Sequence, residues 1–372
     1  MGTRLLFFLV LLLCLSVTLQ KKGKNGAQGS RRNRTVAGPR TFIGQPDPIP
    51  IYGTQAPVSS PSPPVLRSLS NSTVEYLHSP LSTWVIPIIY VLVIIVGIPA
   101  NVAILAMLWT KIRKVSSAIL YCSLAVSDLF LLLSLFFKAH YHLHGNHWVL
   151  GEAACRVVTA CFYGNLYCSA QTLACISIKR YLAVVHPFMY KRLPKRTYTT
   201  CVSIAVWAVF GAAVIPELLV QQSYQLPEVD RTTCHDVLPL DSDSHVFLLY
   251  YNLFLTLFGL LVPLVVTVIC FAKIVCELQR SHHDWEMYIK ASSLVCGIFL
   301  LCFTPAGLLH FLHYVQLFMD GTETLYIYFK AAVCLCCVHA CLDPFLFLLM
   351  SKSAGSSLYF KPFKGKTLSI SF

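Results

Sequence analysis

The chain has 372 residues, of which 56% are hydrophobic and only 12% charged, with a formal charge of +13. About a quarter of a soluble domain is charged, so this composition excludes an ordinary soluble enzyme. The basic excess gathers in loops beside apolar runs, which points to membrane flanks rather than nucleic acid.

In chain order, Arg4 followed by "LLFFLVLLLCL" and "SVTLQ" reads as a secretory signal over residues 1–20. Its apolar run falls short of the roughly 20 residues that cross a bilayer; an uncleaved anchor is the alternative. The polar tail that follows is basic first (Lys21, Lys22, Lys24, Arg31, Arg32, Arg34) and proline-rich later (Pro46, Pro48, Pro50, Pro57, Pro61, Pro63, Pro64). No helical or strand period survives there, so an extended, disordered segment is expected. Asn33-Arg34-Thr35 and Asn71-Ser72-Thr73 are glycosylation acceptor sites.

Seven apolar stretches come next, about 84–109, 117–139, 153–184, 199–220, 247–276, 288–316 and 325–350. Basic residues follow spans one (Lys111, Arg113, Lys114), three (Lys191, Arg192, Lys195, Arg196) and five (Arg280). The alternate loops carry Glu152, Glu228, Asp230, Asp236, Asp241, Asp243, Asp320 and Glu323, with Arg231 their one Lys or Arg residue. The positive-inside rule puts the tail outside and the C-terminus inside. The expected fold is an all-α membrane protein, a seven-transmembrane helix bundle with a disordered extracellular N-terminal tail, multi-pass in the plasma membrane.

Most of the sixteen cysteines lie within spans, as small apolar residues. Cys155 and Cys234 lie on the outer side of the mature chain, where an oxidising compartment pairs them. Asp128 and Asp343 are intramembrane charges that need partners or a function. An aspartyl protease is disfavoured because the second aspartate sits in "CLDPF" instead of a GxGD motif. His140, His142 and His144 alternate in "HYHLHGNH" without a carboxylate or cysteine at metal-ligand spacing, so no metal site is expected there.

"GIPAN" (97–101), "LAVSD" (124–128), Trp207, "LVPL" (261–264), "FTP" (303–305) and "DPFLF" (343–347) fall one per span, in order. Together they resemble the rhodopsin-like G-protein-coupled receptors over the whole membrane region. "CHDVLP" (234–239), "AHYHLHGNHW" (139–148), "FYGNLYCS" (162–169) and "CLDPF" (341–345) are similar to the proteinase-activated receptors. "ACISIKRYLAVVHPF" (174–188), "LPKRTY" (193–198) and "LMSK" (349–352) lean towards that family's third subtype.

The resemblance implies activation by a serine protease that cuts the outer tail and frees a tethered agonist. "AGPRTFIGQPDP" (37–48) fits: Arg40 for the cut, and Thr41, Phe42, Ile43 and Gly44 as the exposed ligand. A trypsin-like enzyme grips arginine through a bidentate charged contact, and cutting gives Thr41 an amine of pKa about 8. Phe42 and Ile43 are apolar anchors, and Gly44 permits a turn. About 43 residues separate Thr41 from span one, a tether of roughly 35 Å and an effective concentration on the order of a millimolar. Pro39 favours thrombin over trypsin. "QPDPIPIYGTQ", with Asp47 its one acid, is a poor match to the acidic exosite-binding patch of thrombin-preferring members.

By resemblance, Tyr163, His235, Asp236, Leu238, His313, Tyr314 and Tyr326 line the ligand region, with outer acids such as Asp236 attracting the new amine. Asp128, Ser169 and Asp343 belong to a sodium-centred polar cluster, and Arg180 faces the G protein. The implied divisions are a signal peptide (1–20), a released peptide (21–40), the ligand-bearing tail (41–83), the membrane domain (84–350) and an inner tail (351–372). The implied partners are thrombin or another trypsin-like protease, a heterotrimeric G protein, other proteinase-activated receptors and membrane lipid.

Departures from the family pattern concentrate at the inner end. Lys179 precedes Arg180 where an acidic or polar residue is usual, and would repel it. Phe271 and Phe347 replace tyrosines, His339 and Ala340 replace a polar pair, and the inner tail of about 20 residues has no cysteine. Two functional classes follow: a signalling receptor, or a weakly signalling cofactor that docks the protease for a neighbouring receptor.

Overall fold

The computed structural model describes residues 42–46, 63–67, 69–111, 116, 118–239, 243–279, 286–320 and 325–356, all within one compact unit, Val36–Phe372. The signal segment, Asn33, Arg40 and Thr41 lie outside the described residues.

Seven spans form the bundle: α2 (81–111), α3 (Ala118–Leu143), α4 (Gly151–Val185), α6 (Lys195–Leu219), α7 (243–279), α8 (286–320) and the pair α9 (Leu325–Cys336) and α10 (His339–Ser356). A short helix, α5 (Pro187–Arg192), links α4 to α6 on the inner side. Six spans have the length and apolarity to cross a membrane unaided. The seventh, α4, has 35 residues and runs through the middle of the bundle, against α3, α6 and α7. It meets protein rather than lipid on most sides, so Asn165, Ser169 and Thr172 are buried there with hydrogen-bond partners. Lipid-facing positions are the reverse: Leu92, Ile95, Leu133, Phe136, Phe258 and Leu301 stand exposed on the bundle's outside.

Proline shapes three spans in one way. Wide π turns at Leu81–Val85, Leu257–Leu261 and Phe299–Phe303 each end two residues before Pro87, Pro263 or Pro305. Proline removes a helix N–H and clashes with the preceding turn, and a widened turn relieves both. In the last span Pro344 leaves the Ala340 carbonyl without its helical donor, and the buried Asn101 amide supplies one at 2.9 Å. That bond fastens α10 to α2.

The tail departs from a wholly extended reading. Phe42–Pro46 forms strand β1, Leu66–Arg67 forms β2, and Asn71–His78 forms helix α1. Ser70 caps α1 by accepting from the Thr73 N–H, and Tyr76 and Leu77 are buried beneath it. Eight residues cannot sustain a helix alone in water; tertiary docking stabilises this one.

Candidate functional site

The outer loop between α6 and α7 forms a hairpin of β3 (Ser223–Leu226) and β4 (Arg231–Cys234), followed by β5 (Val237–Pro239). A disulfide joins Cys234 at the end of β4 to Cys155 in the first turn of α4. Glu152, also in that first turn, accepts from the backbone N–H groups of Gln222 at 2.8 Å and Ser223 at 2.7 Å. Its partner Arg156 donates to the Leu218 and Leu219 carbonyls that end α6. The hairpin is thereby held to two spans.

Between β4 and β5 the chain must turn inward. His235 takes the left-handed conformation, with φ of 64°, which costs a non-glycine residue about 1 kcal/mol. Its backbone N–H bonds the Gln222 carbonyl at 2.9 Å, and its ring sits 5.2 Å from that of Tyr163. The turn drops Asp236 into the bundle, where it is 2% exposed.

Both carboxylate oxygens of Asp236 are engaged. Lys330 Nζ from α9 donates to Oδ1 at 2.5 Å, and Tyr141 Oη from α3 donates to Oδ2 at 2.8 Å. Burial alone would push this carboxyl up, but Lys330, then His142 and Lys138, outweigh it and hold it well below the usual carboxylate range. Lys330 also lies over the Tyr326 ring, 5.3 Å from its centroid. Tyr326 packs against His313 at 5.8 Å and edge-on to Tyr76 of the tail helix at 6.2 Å. Lys138 Nζ rests 4.6 Å above the Phe162 ring.

The tail closes over this cluster. Asn146, left-handed with φ of 63°, donates to the Leu77 carbonyl at 2.7 Å and accepts from Ser82 at 3.0 Å and His142 Nδ1 at 2.7 Å. Two bonds tie this part of the tail to the hairpin: the Gln225 N–H bonds the Pro64 carbonyl at 2.9 Å, and Leu69 N–H reaches Glu228 at 3.3 Å. Strand β1 lies between β2 and β5. It pairs in parallel with β5, Phe42 against Val237, Ile43 against Leu238 and Gly44 against Pro239. On its other edge Gln45 and Pro46 oppose Arg67 and Leu66, antiparallel.

Of the residues expected at the ligand region, Tyr163, His235, Asp236, Leu238, His313 and Tyr326 are buried at this outer end. Tyr314 is half-buried and makes no ring contact or hydrogen bond with them among the described residues. Asp236, expected among the outer acids that attract the new amine, is buried and already paired with a lysine, whereas Glu228 is exposed. Sequence reasoning missed Lys330, Lys138, Tyr141 and Asn146. The two lysines, charges inside apolar spans, carried the same signal that drew attention to Asp128 and Asp343.

Deeper in the bundle, Ser169 donates to Asp128 Oδ1 at 3.2 Å, and His339 Nε2 lies 3.6 Å from the same oxygen. Ligand atoms of Asp128, His339 and Asp343 fall within 4.8 Å of one another. At the inner end Arg180 donates to Tyr121 Oη at 2.9 Å. The expected repulsion from Lys179 does not arise through facing side chains: Lys179 turns to Ser116 at 3.1 Å and Thr199 at 3.0 Å.

Comparison with known proteins agrees with this architecture. Residues 100–347 match the family described as 7 transmembrane receptor (rhodopsin family). The chain is 44% identical over 289 residues to proteinase-activated receptor 3 of Homo sapiens, covering 78% of this chain and 77% of that protein. It is 36% identical over 316 residues to proteinase-activated receptor 1 of Xenopus laevis, covering 82% and 74%. With proteinase-activated receptor 2 of Rattus norvegicus the identity is 31% over 335 residues, covering 86% and 82%. A seven-span bundle, a loop hairpin tied to α4 by a disulfide, and a tail strand laid on that loop thus accompany this similarity: the chain belongs to the proteinase-activated receptors, within the rhodopsin family of seven-transmembrane receptors.

Proposed function

We propose that a serine protease cuts this receptor after Arg40 and that Thr41-Phe42-Ile43-Gly44 then acts as its tethered ligand at the outer end of the bundle. The observation that carries this reading is the parallel ladder between Phe42–Gly44 and Val237–Pro239. Adding a strand to a sheet edge is a common mode of peptide recognition: main-chain bonds supply affinity and side-chain pockets supply specificity. The segment that the cut would free is the one paired with Val237, Leu238 and Pro239. Thrombin is the preferred protease because Pro39 precedes Arg40, with trypsin-type enzymes second. The released piece is then residues 21–40. Asn71, exposed at the start of α1, is an accessible glycosylation site, as Asn33 is by sequence.

A sodium ion fits the inner cluster. Asp128 Oδ2 and both oxygens of Asp343 are buried and accept no hydrogen bond among the described residues. Two carboxylates so close repel unless a cation or proton lies between them. Asp128, Asp343 and the Ser169 hydroxyl would hold the ion, which would supply the missing positive charge.

The second reading, a protease-docking cofactor that signals little itself, is favoured by one observation. Arg180, the residue expected to face the G protein, has no carboxylate partner among the described residues and is steadied by one tyrosine hydroxyl. Calcium release and β-arrestin recruitment after complete cleavage, in cells lacking other family members, separate the two. A response supports the autonomous receptor; silence supports the cofactor.

A further inference from the structure

We infer that the buried Asp128, His339 and Asp343 cluster is a site for a divalent transition cation of the zinc class, and that His339 selects this cation over sodium. This rests on the reading of the cluster as a cation site given above.

Four observations converge. The first is placement. His339 and Asp343 stand four residues apart on α10, and so lie on one face of that helix. Asp128 meets them from α3. One ligand atom from each falls within 4.8 Å of the other two, and all three side chains are buried. An ion held there fastens the last span to α3.

The second is the orientation of the imidazole. The helix breaks at Cys337 and Val338, between α9 and α10, and the His339 ring reaches back with Nδ1 2.6 Å from the Cys336 carbonyl. A carbonyl only accepts, so Nδ1 carries a proton and donates it. In the neutral ring Nε2 then presents a lone pair towards Asp128 Oδ1, 3.6 Å away. Two lone pairs repel, and a cation between them makes both into ligands. Metal-bound histidines are commonly fixed in this way, with the other ring N–H donated to a carbonyl or carboxylate.

The third is distance. The 3.6 Å between Nε2 and Oδ1 is too long for a hydrogen bond from a protonated ring. Two ligands each about 2.1 Å from one zinc ion stand about 3.3–3.6 Å apart at tetrahedral to trigonal angles.

The fourth is charge and donor type. Two buried carboxylates carry two negative charges, which one divalent ion balances and one sodium does not. Imidazole nitrogen suits zinc, copper, iron and nickel, whereas hard cations keep to oxygen ligands. Asp128 Oδ2 and both Asp343 oxygens accept no hydrogen bond among the described residues, so each has lone pairs for an ion. Ser169 orients Asp128 by donating to Oδ1 at 3.2 Å, and the Phe303 ring walls His339 at 4.8 Å.

The test uses full-length, disulfide-intact receptor, stripped with a chelator and then incubated with micromolar zinc chloride or with sodium chloride, choline chloride holding the ionic strength. Intrinsic fluorescence follows thermal unfolding, and cobalt chloride serves as the spectroscopic probe. The natural chain is compared with His339→Asn and with His140→Ala joined to His144→Ala, which removes the exposed histidines. The expected result is a rise of several degrees with micromolar zinc and an intense tetrahedral cobalt band in the natural chain. His339→Asn should lose both and keep its response to sodium; the His140 and His144 double variant should keep all three. A natural chain stabilised by sodium but not by zinc overturns this inference and leaves the sodium reading standing. A zinc shift that survives His339→Asn, or one lost with His140 and His144, also overturns it. The cobalt band is read on the natural chain, so its absence counts against the site even where His339→Asn does not fold. If neither cation shifts the natural chain, the cation reading and this one fall together.

Discussion

Phe42 lies opposite Val237 in a parallel ladder that continues through Ile43 and Leu238 to Gly44 and Pro239. Strand β1 is thus seated on the outer loop while the chain is whole; on the proposed reading, cutting changes the charge near its end rather than creating the strand. Backbone hydrogen exchange tests this. Deleting residues 42–46 should speed exchange across Val237 and Leu238; unchanged exchange would show that the strand is not populated in solution.

The disulfide closes a separation of 79 residues between Cys155 and Cys234. In the chain-entropy model a loop of that size is worth about 4 kcal/mol through the unfolded state. Cys234→Ser should lose most surface expression. The protein that does fold should have a frayed β3–β4 hairpin, read as faster proteolysis between residues 221 and 239. Natural expression and protease resistance would contradict this.

Asn146 joins α1, α2 and α3 through Leu77, Ser82 and His142. Asn146→Ala leaves a buried carbonyl, hydroxyl and imidazole without these partners, a loss of about 2–3 kcal/mol. Thermal unfolding followed with a thiol-reactive dye suits a bundle with many buried cysteines. The midpoint should fall, and α1 should become cleavable near Tyr76 before the bundle melts.

The acid in the outer ion pair is pH-resistant. The folded pKa of Asp236 is depressed, so its stabilisation is present above the unfolded carboxylate value of about 4 and disappears only as pH falls through the lower folded value. Acidification from about pH 7.4 to about pH 5.5 should therefore leave this contribution to the unfolding midpoint intact. A loss in that window that is absent from the Asp236→Asn and Lys330→Met double variant would contradict it.

Sodium chloride should raise the unfolding midpoint more than choline chloride at equal ionic strength, and Asp128→Asn should abolish the difference. Equal shifts with both salts would remove the sodium reading.

The membrane spans were legible because a bilayer imposes long apolar runs that composition alone reveals. The outer cysteine pair was legible because the other cysteines of the mature chain lie within spans. The tail was not. "NSTVEYLH" lacks the length of an independent helix, and β1 and β2 exist through pairing with each other and with β5, which local propensity does not encode. His140 and His142 read as loop residues but belong to the last turn of α3, since Tyr141 and His142 find buried partners there. Asp236 read as an exposed attractor because its counter-ion Lys330 lies 94 residues away.

Cleavage at one bond underlies the whole account, and the sequence of the first new N-terminus tests it most directly. Receptor on intact cells is treated with low thrombin and the terminus read by mass spectrometry, for the natural chain and for Arg40→Ala. The account predicts a terminus beginning Thr41-Phe42-Ile43-Gly44 in the first and none in the second. A first terminus elsewhere, or undiminished cutting of Arg40→Ala, would contradict it.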